Sequence, residues 1–450
     1  MAEKENKIFK FMEKHLMVPM GKIANLRIVR SVVAAGVATL PFTIVGSMFL
    51  VLNVLPQAFP VLQPFWDMTF NRFSSLYMLI NTSTMSILSL YFCLAFGYEY
   101  TKIHQQEEKV DLTPLSGALL SLFAFFLCVP ELVFKDGMMT LLEVNTKTET
   151  VIHGYRMGWD IMTRLGTGGI FTAIIMSIIA VKIYYFLVKK HWTIKMPAGV
   201  PQGVSRAFTA LVPAFFVGVI VILINGILIT IDTDIFKVVE IPFSFVTSLT
   251  NSWLGMIAIL AVIQSLWIVG IHGANIVTAL ISPIVLANMA LNVKGDHIPF
   301  AGEFLNAFVT MGGSGATLGL VIMMSFFAKS AQMKTLGRTA LIPSIFNINE
   351  PIVFGLPIVY NPYMAIPFFL APMVAGTLAY FAIKFQLVAP VIAQAPWPTP
   401  IGINAFLSTG GDYKAAILSV ICAVLSALVY LPFFKMYDKK LVHDEQLATK

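Results

Sequence analysis

The residues best suited to chemistry lie in the stretch 344–362, SIFNINEPIVFGLPIVYNP, where Glu350 follows Asn347 and Asn349 and precedes Pro351. Pro343 just before it and Pro351, Pro357 and Pro362 within it deny this apolar stretch a straight helix. A carboxylate facing lipid is costly, and broken backbone at membrane depth survives only against protein or a wet cavity. Glu350 is therefore expected on a bundle interior or a pathway, as a buried anion. Pro351 suits a helix that starts there with its positive end near the carboxylate. A carboxylate among amides reads hydroxyl groups, and it accepts from two neighbouring hydroxyls of a sugar ring at once. A structural acid, salt-bridged or capping a helix, has the same residue type, and both readings stay open.

A second ionisable group, His272, sits in SLWIVGIHGANIV between Gly270 and Gly273, whose backbone can open or approach a ligand closely. Asn275 lies three residues on and Trp267 five before. An aromatic plane beside hydrogen-bonding groups is a way to hold a pyranose, with its C–H faces and hydroxyl rim; a satisfied core histidine is the alternative. Trp397, in QAPWPTPIGIN, offers a second apolar wall or an interfacial anchor. The glycine run GGSGATLG at 312–319 lacks the lysine and spacing of a P-loop, which leaves close helix packing or a re-entrant turn. STGGDYK at 408–414 reads as a turn with Asp412 near a helix start. Glu303 belongs to an amphipathic or re-entrant segment, and Arg27 and Arg30 read as topology signals. Cys93, Cys128 and Cys422 sit in apolar segments without metal or disulfide spacing. No metal or cofactor is expected, and no exposed thiol to carry a covalent intermediate.

These residues must be positioned by membrane-spanning elements. The chain has 450 residues, 57% hydrophobic and 12% charged, against about 25% charged in a soluble protein. The apolar residues fall in blocks of about 20, the length that crosses a bilayer core. The fold class is an all-α polytopic membrane protein, with about ten transmembrane helices, two re-entrant hairpins and interfacial amphipathic helices. Spans are expected near 31–54, 77–98, 113–134, 168–189, 207–231, 253–271, 316–328, 363–384 and 414–434. Segments 275–291 and 386–406 look too broken for ordinary spans and read as re-entrant. The polar stretch 135–167 suggests a small extracytoplasmic hairpin or loop.

The net charge of +7 gathers in particular loops rather than on one face, which argues against nucleic acid. Five Lys/Arg and no acid lie between Lys182 and Arg206, whereas 131–165 holds more acids than bases. That asymmetry places both termini in the cytoplasm. Ile8, Phe9, Met12 and Leu16 recur at helical spacing among lysines, as in a helix lying on the lipid surface. The expected organisation is an interfacial N-terminal segment (1–30), an N-terminal helical half (31–231), a C-terminal half that builds the site (232–434) and a cytoplasmic tail (435–450).

The stretches NINEPIVFGLPIVYNP, WIVGIHGANI, GGSGATLGLV and PWPTP with FLSTGGDYKAAIL together resemble enzyme IIC of the lactose/cellobiose/diacetylchitobiose family of the bacterial phosphotransferase system. The resemblance runs over most of the chain. It implies a homodimer in which the N-terminal half is the dimer scaffold and the C-terminal half binds sugar at re-entrant hairpins. It places Glu350, His272, Trp267 and Trp397 on the sugar site, and the neighbours Gly273, Asn275 and Asn349 complete the expected substrate-binding set. Two features depart from the family pattern: the first arginine lacks the acid that often follows it, and Pro398 is an extra proline. The resemblance further implies a sugar permease of the bacterial plasma membrane that takes a β-linked disaccharide, cellobiose before diacetylchitobiose or lactose. Phosphorylation comes from a separate IIB protein whose cysteine carries the phosphoryl group, with IIA upstream, so the chain alone has no complete active site. Glu350 would act as base or orienter of the sugar hydroxyl. A proton-coupled secondary sugar transporter, with Glu350 or His272 as relay, is the alternative from the residues alone.

Overall fold

The computed structural model describes residues 22, 25–58, 61, 63–135, 137–147, 149–158, 164–197, 199–268, 272–356, 358 and 362–448. The amphipathic pattern at residues 8–16 lies outside them. Helices α1 (Arg27–Ala58), α2 (Gln63–Met68), α3 (Ser74–Thr82), α4 (Leu88–Glu108) and α5 (Pro114–Cys128) come first. Strands β1 (Leu132–Lys135), β2 (Met138–Leu141), β3 (Val144–Asn145), β4 (Glu149–Ile152) and β5 (Tyr155–Gly158) follow. Next are α6 (Ile170–Lys189), α7 (Gln202–Ile229), α8 (Ile235–Asn251), α9 (Trp253–Ile268), α10 (Gly273–Val293), α11 (Phe304–Phe308) and α12 (Leu318–Phe327). The chain closes with α13 (Ala331–Ile345), α14 (Glu350–Gly355), α15 (Pro362–Lys384), α16 (Ile403–Ser408) and α17 (Tyr413–Ala448). It forms two compact units: one of Ala24–Gly46 and Leu79–Thr247, the other drawing on Ser47–Met78 and Ser248–Lys450.

In the first unit, α4, α5, α6 and α7 pack around Phe125, Met176, Tyr184, Val217 and Val221, all buried. Lipid tails are as apolar as leucine, so close backbone approach and hydrogen bonding have to bring these helices together. A Cβ at Gly97 would meet Ser121 Oγ at 2.4 Å, and one at Gly117 would meet Thr101 Oγ1 at 1.8 Å. Both hydroxyls donate instead to a carbonyl one turn back, Thr101 to Gly97 and Ser121 to Gly117. Arg27 pairs with Glu107 at 2.7 Å and Glu108 at 2.6 Å, so the arginines before the first span have acids that the sequence keeps far away. The polar stretch after α5 forms an antiparallel pair, β1–β2, and a three-stranded sheet in the order β3-β4-β5. Arg156 fastens it with two 2.8 Å bonds to Glu131 and a contact to Glu149, while Arg164 reaches Asp234 at 2.7 Å. Hydrogen bonding from Arg156 holds the Glu131 carboxyl below its usual range.

In the second unit, α15 packs on α17 and α9, and α12 packs on α13 and α17. The N-terminus of α13 is gripped by α17. Asp438 accepts from the backbone N–H groups of Lys329 and Ser330, and Glu445 from those of Ala331 and Gln332 and from the Ser330 hydroxyl. Those N–H groups have no partner within the helix, so carboxylates are well placed there. Asp412, expected near a helix start, immediately precedes α17 and accepts from Lys414 N in its first turn and from Ala389 N in the preceding loop.

The all-α membrane architecture stands, and several boundaries move. Among the described residues, six helices are long and apolar enough to cross a bilayer: Arg27–Pro56, Asn71–Glu108, Thr167–Lys189, Gln202–Ile229, Met364–Lys384 and Tyr413–Leu447. The expected number of about ten is reached only by adding four shorter apolar helices, at 114–128, 253–268, 280–293 and 318–327. The span expected at 113–134 ends at Cys128, because the apolar residues that follow enter strand β1. The segment 275–291 is not broken: α10 runs through it, with Pro283 inside. Its asparagines serve neighbouring loops, Asn288 donating to Phe300 O at 2.7 Å and Asn292 to Ile298 O and Val391 O at 3.0 Å. The segment 386–406 is irregular up to α16, and Ser408 O accepts from Ile392 N and Ala393 N.

Candidate functional site

The Asn-Glu-Pro motif lies in the second unit, on a turn between two helices. Helix α13 stops at Ile345 and Asn347 adopts φ +62°, a left-handed conformation that asparagine tolerates better than most residues. Ile348 N then reaches back to Pro343 O at 3.0 Å. Asn349 occupies the N-cap position of α14 without a side-chain capping bond, Glu350 opens the helix and Pro351 follows in the first turn, so the expected helix start is present. The expectation of a buried anion does not hold. The turn carries Glu350 to an exposed position, and among the described residues it pairs with no cation. It stands within electrostatic reach of His272.

The two asparagines are spent largely on backbone. Asn347 Oδ1 accepts from Gly312 N at 2.9 Å, and its Nδ2 donates to Trp397 O at 2.9 Å and Thr399 O at 3.1 Å. Asn349 is buried, and its Nδ2 donates to Ser314 O and to Thr317 Oγ1. This contact explains the glycine run. Gly312, Gly313 and Gly315 have φ of +78°, +96° and +81°, and a Cβ at Gly313 would meet Asn349 Cγ at 2.4 Å. Tyr430 Oη donates to Gly315 O at 2.8 Å and Thr317 Oγ1 to Gly312 O at 2.7 Å, so the run is a pinned loop before α12. Turning the Asn349 Nδ2 to a ligand hydroxyl would break a buried bond, at a cost of about 1–3 kcal/mol.

His272 is exposed, and its ring lies 4.3 Å from that of Trp267 at 48°. Trp267 is 3% exposed, so its indole is not an open wall here, and its Nε1 has no partner among the described residues. Gly273 starts α10 with its Cα against α9, where a Cβ would sit 2.3 Å from Ile263 O. Its smallness serves that helix contact. Asn275 lies on α10, but its side chain is outside the described residues. Trp397 is 53% exposed and presents an open aromatic face. The structure thus brings the Glu350 turn, the glycine loop and the Trp397 loop together through Asn347, and pairs Trp267 with His272. Glu303 accepts from Asn306 Nδ2 at 2.6 Å.

Gln264 escaped the sequence reading. It is fully buried on α9, one turn before Trp267, and neither amide atom has a partner among the described residues. A glutamine three residues before the tryptophan, in an otherwise apolar helix, was the available signal. Among the described residues no group of three or more His, Cys, Asp or Glu could hold a metal ion. The three cysteines are buried and unbridged.

The sequence pattern of the family described as "Phosphotransferase system, EIIC" matches residues 35–372. The "Lichenan permease IIC component" of Bacillus subtilis (strain 168) is 34% identical over 455 residues, covering 98% of this chain and 96% of that protein. The "PTS system cellobiose-specific EIIC component" of Geobacillus stearothermophilus is 34% identical over 454 residues, with 98% and 96% covered. The crystal structure of the transporter ChbC, the IIC component from the N,N'-diacetylchitobiose-specific phosphotransferase system, superimposes with a TM-score of 0.85 at 33% identity. It covers 97% of this chain and 99% of that one.

Proposed function

Because the chain belongs to the phosphotransferase system EIIC family, in its lactose/cellobiose/diacetylchitobiose branch, we propose that it binds a β-linked disaccharide and presents it to a phosphorylated IIB protein. The observation that carries this reading is the placement of Glu350. It is an exposed acid with no cation partner among the described residues, held on a turn that Asn347 and Asn349 tie to two loops, within electrostatic reach of His272. Such an acid has both oxygens available for sugar hydroxyls. Trp397 supplies an apolar face for a hexose ring, His272 and Asn275 add hydrogen-bonding groups, and Trp267 backs the histidine. The relatives named for lichenan and cellobiose favour a β-glucoside such as cellobiose.

Transfer then breaks the S–P bond of the phosphocysteine on IIB and forms an O–P bond on a sugar hydroxyl. Glu350 orients that hydroxyl and accepts its proton. The IIB cysteine leaves as thiolate, to be recharged through IIA. The product carries about two negative charges beside a carboxylate, which weakens its binding and favours release. The protein works as a homodimer in the bacterial plasma membrane, with both termini cytoplasmic.

Uptake in sealed vesicles tests this reading. With phosphoenolpyruvate and the soluble phosphotransferase proteins supplied inside, labelled cellobiose should appear in the lumen as its phosphate. Accumulation of free sugar driven by a proton gradient, with no phosphoryl donor, would replace this scheme with secondary transport.

A further inference from the structure

We propose that Asn347 is a positioning residue: it aims Trp397 at the sugar held by Glu350 by fixing the backbone of the Trp397 loop, without touching the sugar. The proposal rests on the reading of Trp397 as a wall of the sugar site.

A primary amide has two N–H donors and one carbonyl acceptor. Asn347 directs both donors at one loop, to Trp397 O and Thr399 O, and turns its acceptor to Gly312 N. One side chain so joins three segments distant in sequence: the glycine run, the turn of the Asn-Glu-Pro motif and the loop before α16. No donor is left over for a ligand hydroxyl.

The Trp397 loop has particular need of such a tie. Pro396, Pro398 and Pro400 alternate with Trp397 and Thr399. Proline has no backbone N–H, so every second residue here is without a donor and no strand-like ladder can fix the loop. The Trp397 indole itself is half exposed. Asn347 holds the carbonyls on both sides of Pro398, and it lies three residues before Glu350 on the same turn. The spacing between acid and aromatic face is thereby set through one amide. Asparagine is also suited to the φ of +62° there.

The substitution Asn347→Asp keeps an acceptor for Gly312 N and the tolerance for a left-handed backbone, and removes both donors. Equilibrium binding of radiolabelled cellobiose to the full chain, purified in detergent, should weaken by about 5- to 20-fold, the loss of two hydrogen bonds. The decisive comparison is with Trp397→Ala. If Asn347 acts through Trp397, the double variant binds within about twofold of Trp397→Ala alone; a general structural role would multiply the two losses. Multiplied losses overturn the proposal. A second readout is independent of sugar: acrylamide quenching of the Trp397 emission, isolated by difference from Trp397→Phe, should rise in Asn347→Asp. Should that variant fail to purify, Asn347→Gly keeps the backbone conformation and is put through both measurements. Normal binding by Trp397→Ala would remove Trp397 from the sugar site; unchanged quenching would remove the clasp.

Discussion

Replacing Glu350 with glutamine keeps the shape of the side chain and removes its charge. A charge-assisted hydrogen bond to a sugar hydroxyl is worth about 1.5–3 kcal/mol, so cellobiose should bind roughly 10- to 150-fold more weakly. Stability should respond differently. Glu350 is exposed and pairs with no cation among the described residues, so the substitution orphans no buried partner. What the fold loses is a favourable charge in the first turn of the six-residue α14, at most about 1 kcal/mol. A large binding loss with little change in melting temperature is therefore the expected signature. Radiolabelled cellobiose binding to purified protein, read beside a thermal melt in the same detergent, measures both. Near-normal binding and phosphorylation would remove Glu350 from the site. A melt that falls in step with binding would show the acid to be a structural group.

Gly313→Ala must place a Cβ 2.4 Å from Asn349 Cγ on a backbone at φ +96°. The conformation alone costs about 1–2 kcal/mol, and displacement of the buried amide adds to it, so both the melt and cellobiose binding should fall. Gly273→Ala drives a Cβ to 2.3 Å from Ile263 O; overpacking of this kind costs about 1–3 kcal/mol. It should shift α10 from α9, and circular dichroism with binding would detect the disturbed Trp267–His272 pair. The Glu131 carboxyl, depressed by Arg156, stabilises the strand region above its unfolded value, about pH 4.3. That contribution is lost as pH falls through the lower folded value, so protection factors across 131–158, taken against the intrinsic exchange rate at each pH, should fall below about pH 4 and stay flat above pH 5. Arg156→Gln should weaken the acid dependence, and Arg164, 3.9 Å from Glu131, supplies what remains.

Membrane class, the strands of the polar segment and the helix start at Glu350 were legible because each rests on local composition. Blocks of apolar residues, the polar run EVNTKTETVIHG and Pro351 after an acid each act within a few neighbours. Segment 132–135 was misread because Leu-Val-Phe is as apolar in a strand as in a span. Segment 275–291 was misread because proline and asparagine look like breaks, while α10 tolerates Pro283 and uses Asn288 and Asn292 to hold other loops. The asparagines of the motif were the hardest case. An amide reads hydroxyls and carbonyls alike, and the carbonyls taken by Asn347 and Asn349 lie between 35 and 52 residues away. Trp267 posed a similar ambiguity, since residue type does not tell a buried indole from one that faces a ligand.

The carboxylates of α17 that hold the start of α13 have a practical consequence. Helix α13 has 15 residues, a rod of about 22 Å, and the turn bearing Asn347 and Glu350 begins at its far end. Trimming the chain near residue 435 would strip off Asp438 and Glu445 together and loosen that rod at its base. Purification tags and reporter fusions are therefore safer on a flexible spacer after Lys450 than on a shortened chain. A fluorophore placed near Glu445 would report how firmly the start of α13 is seated.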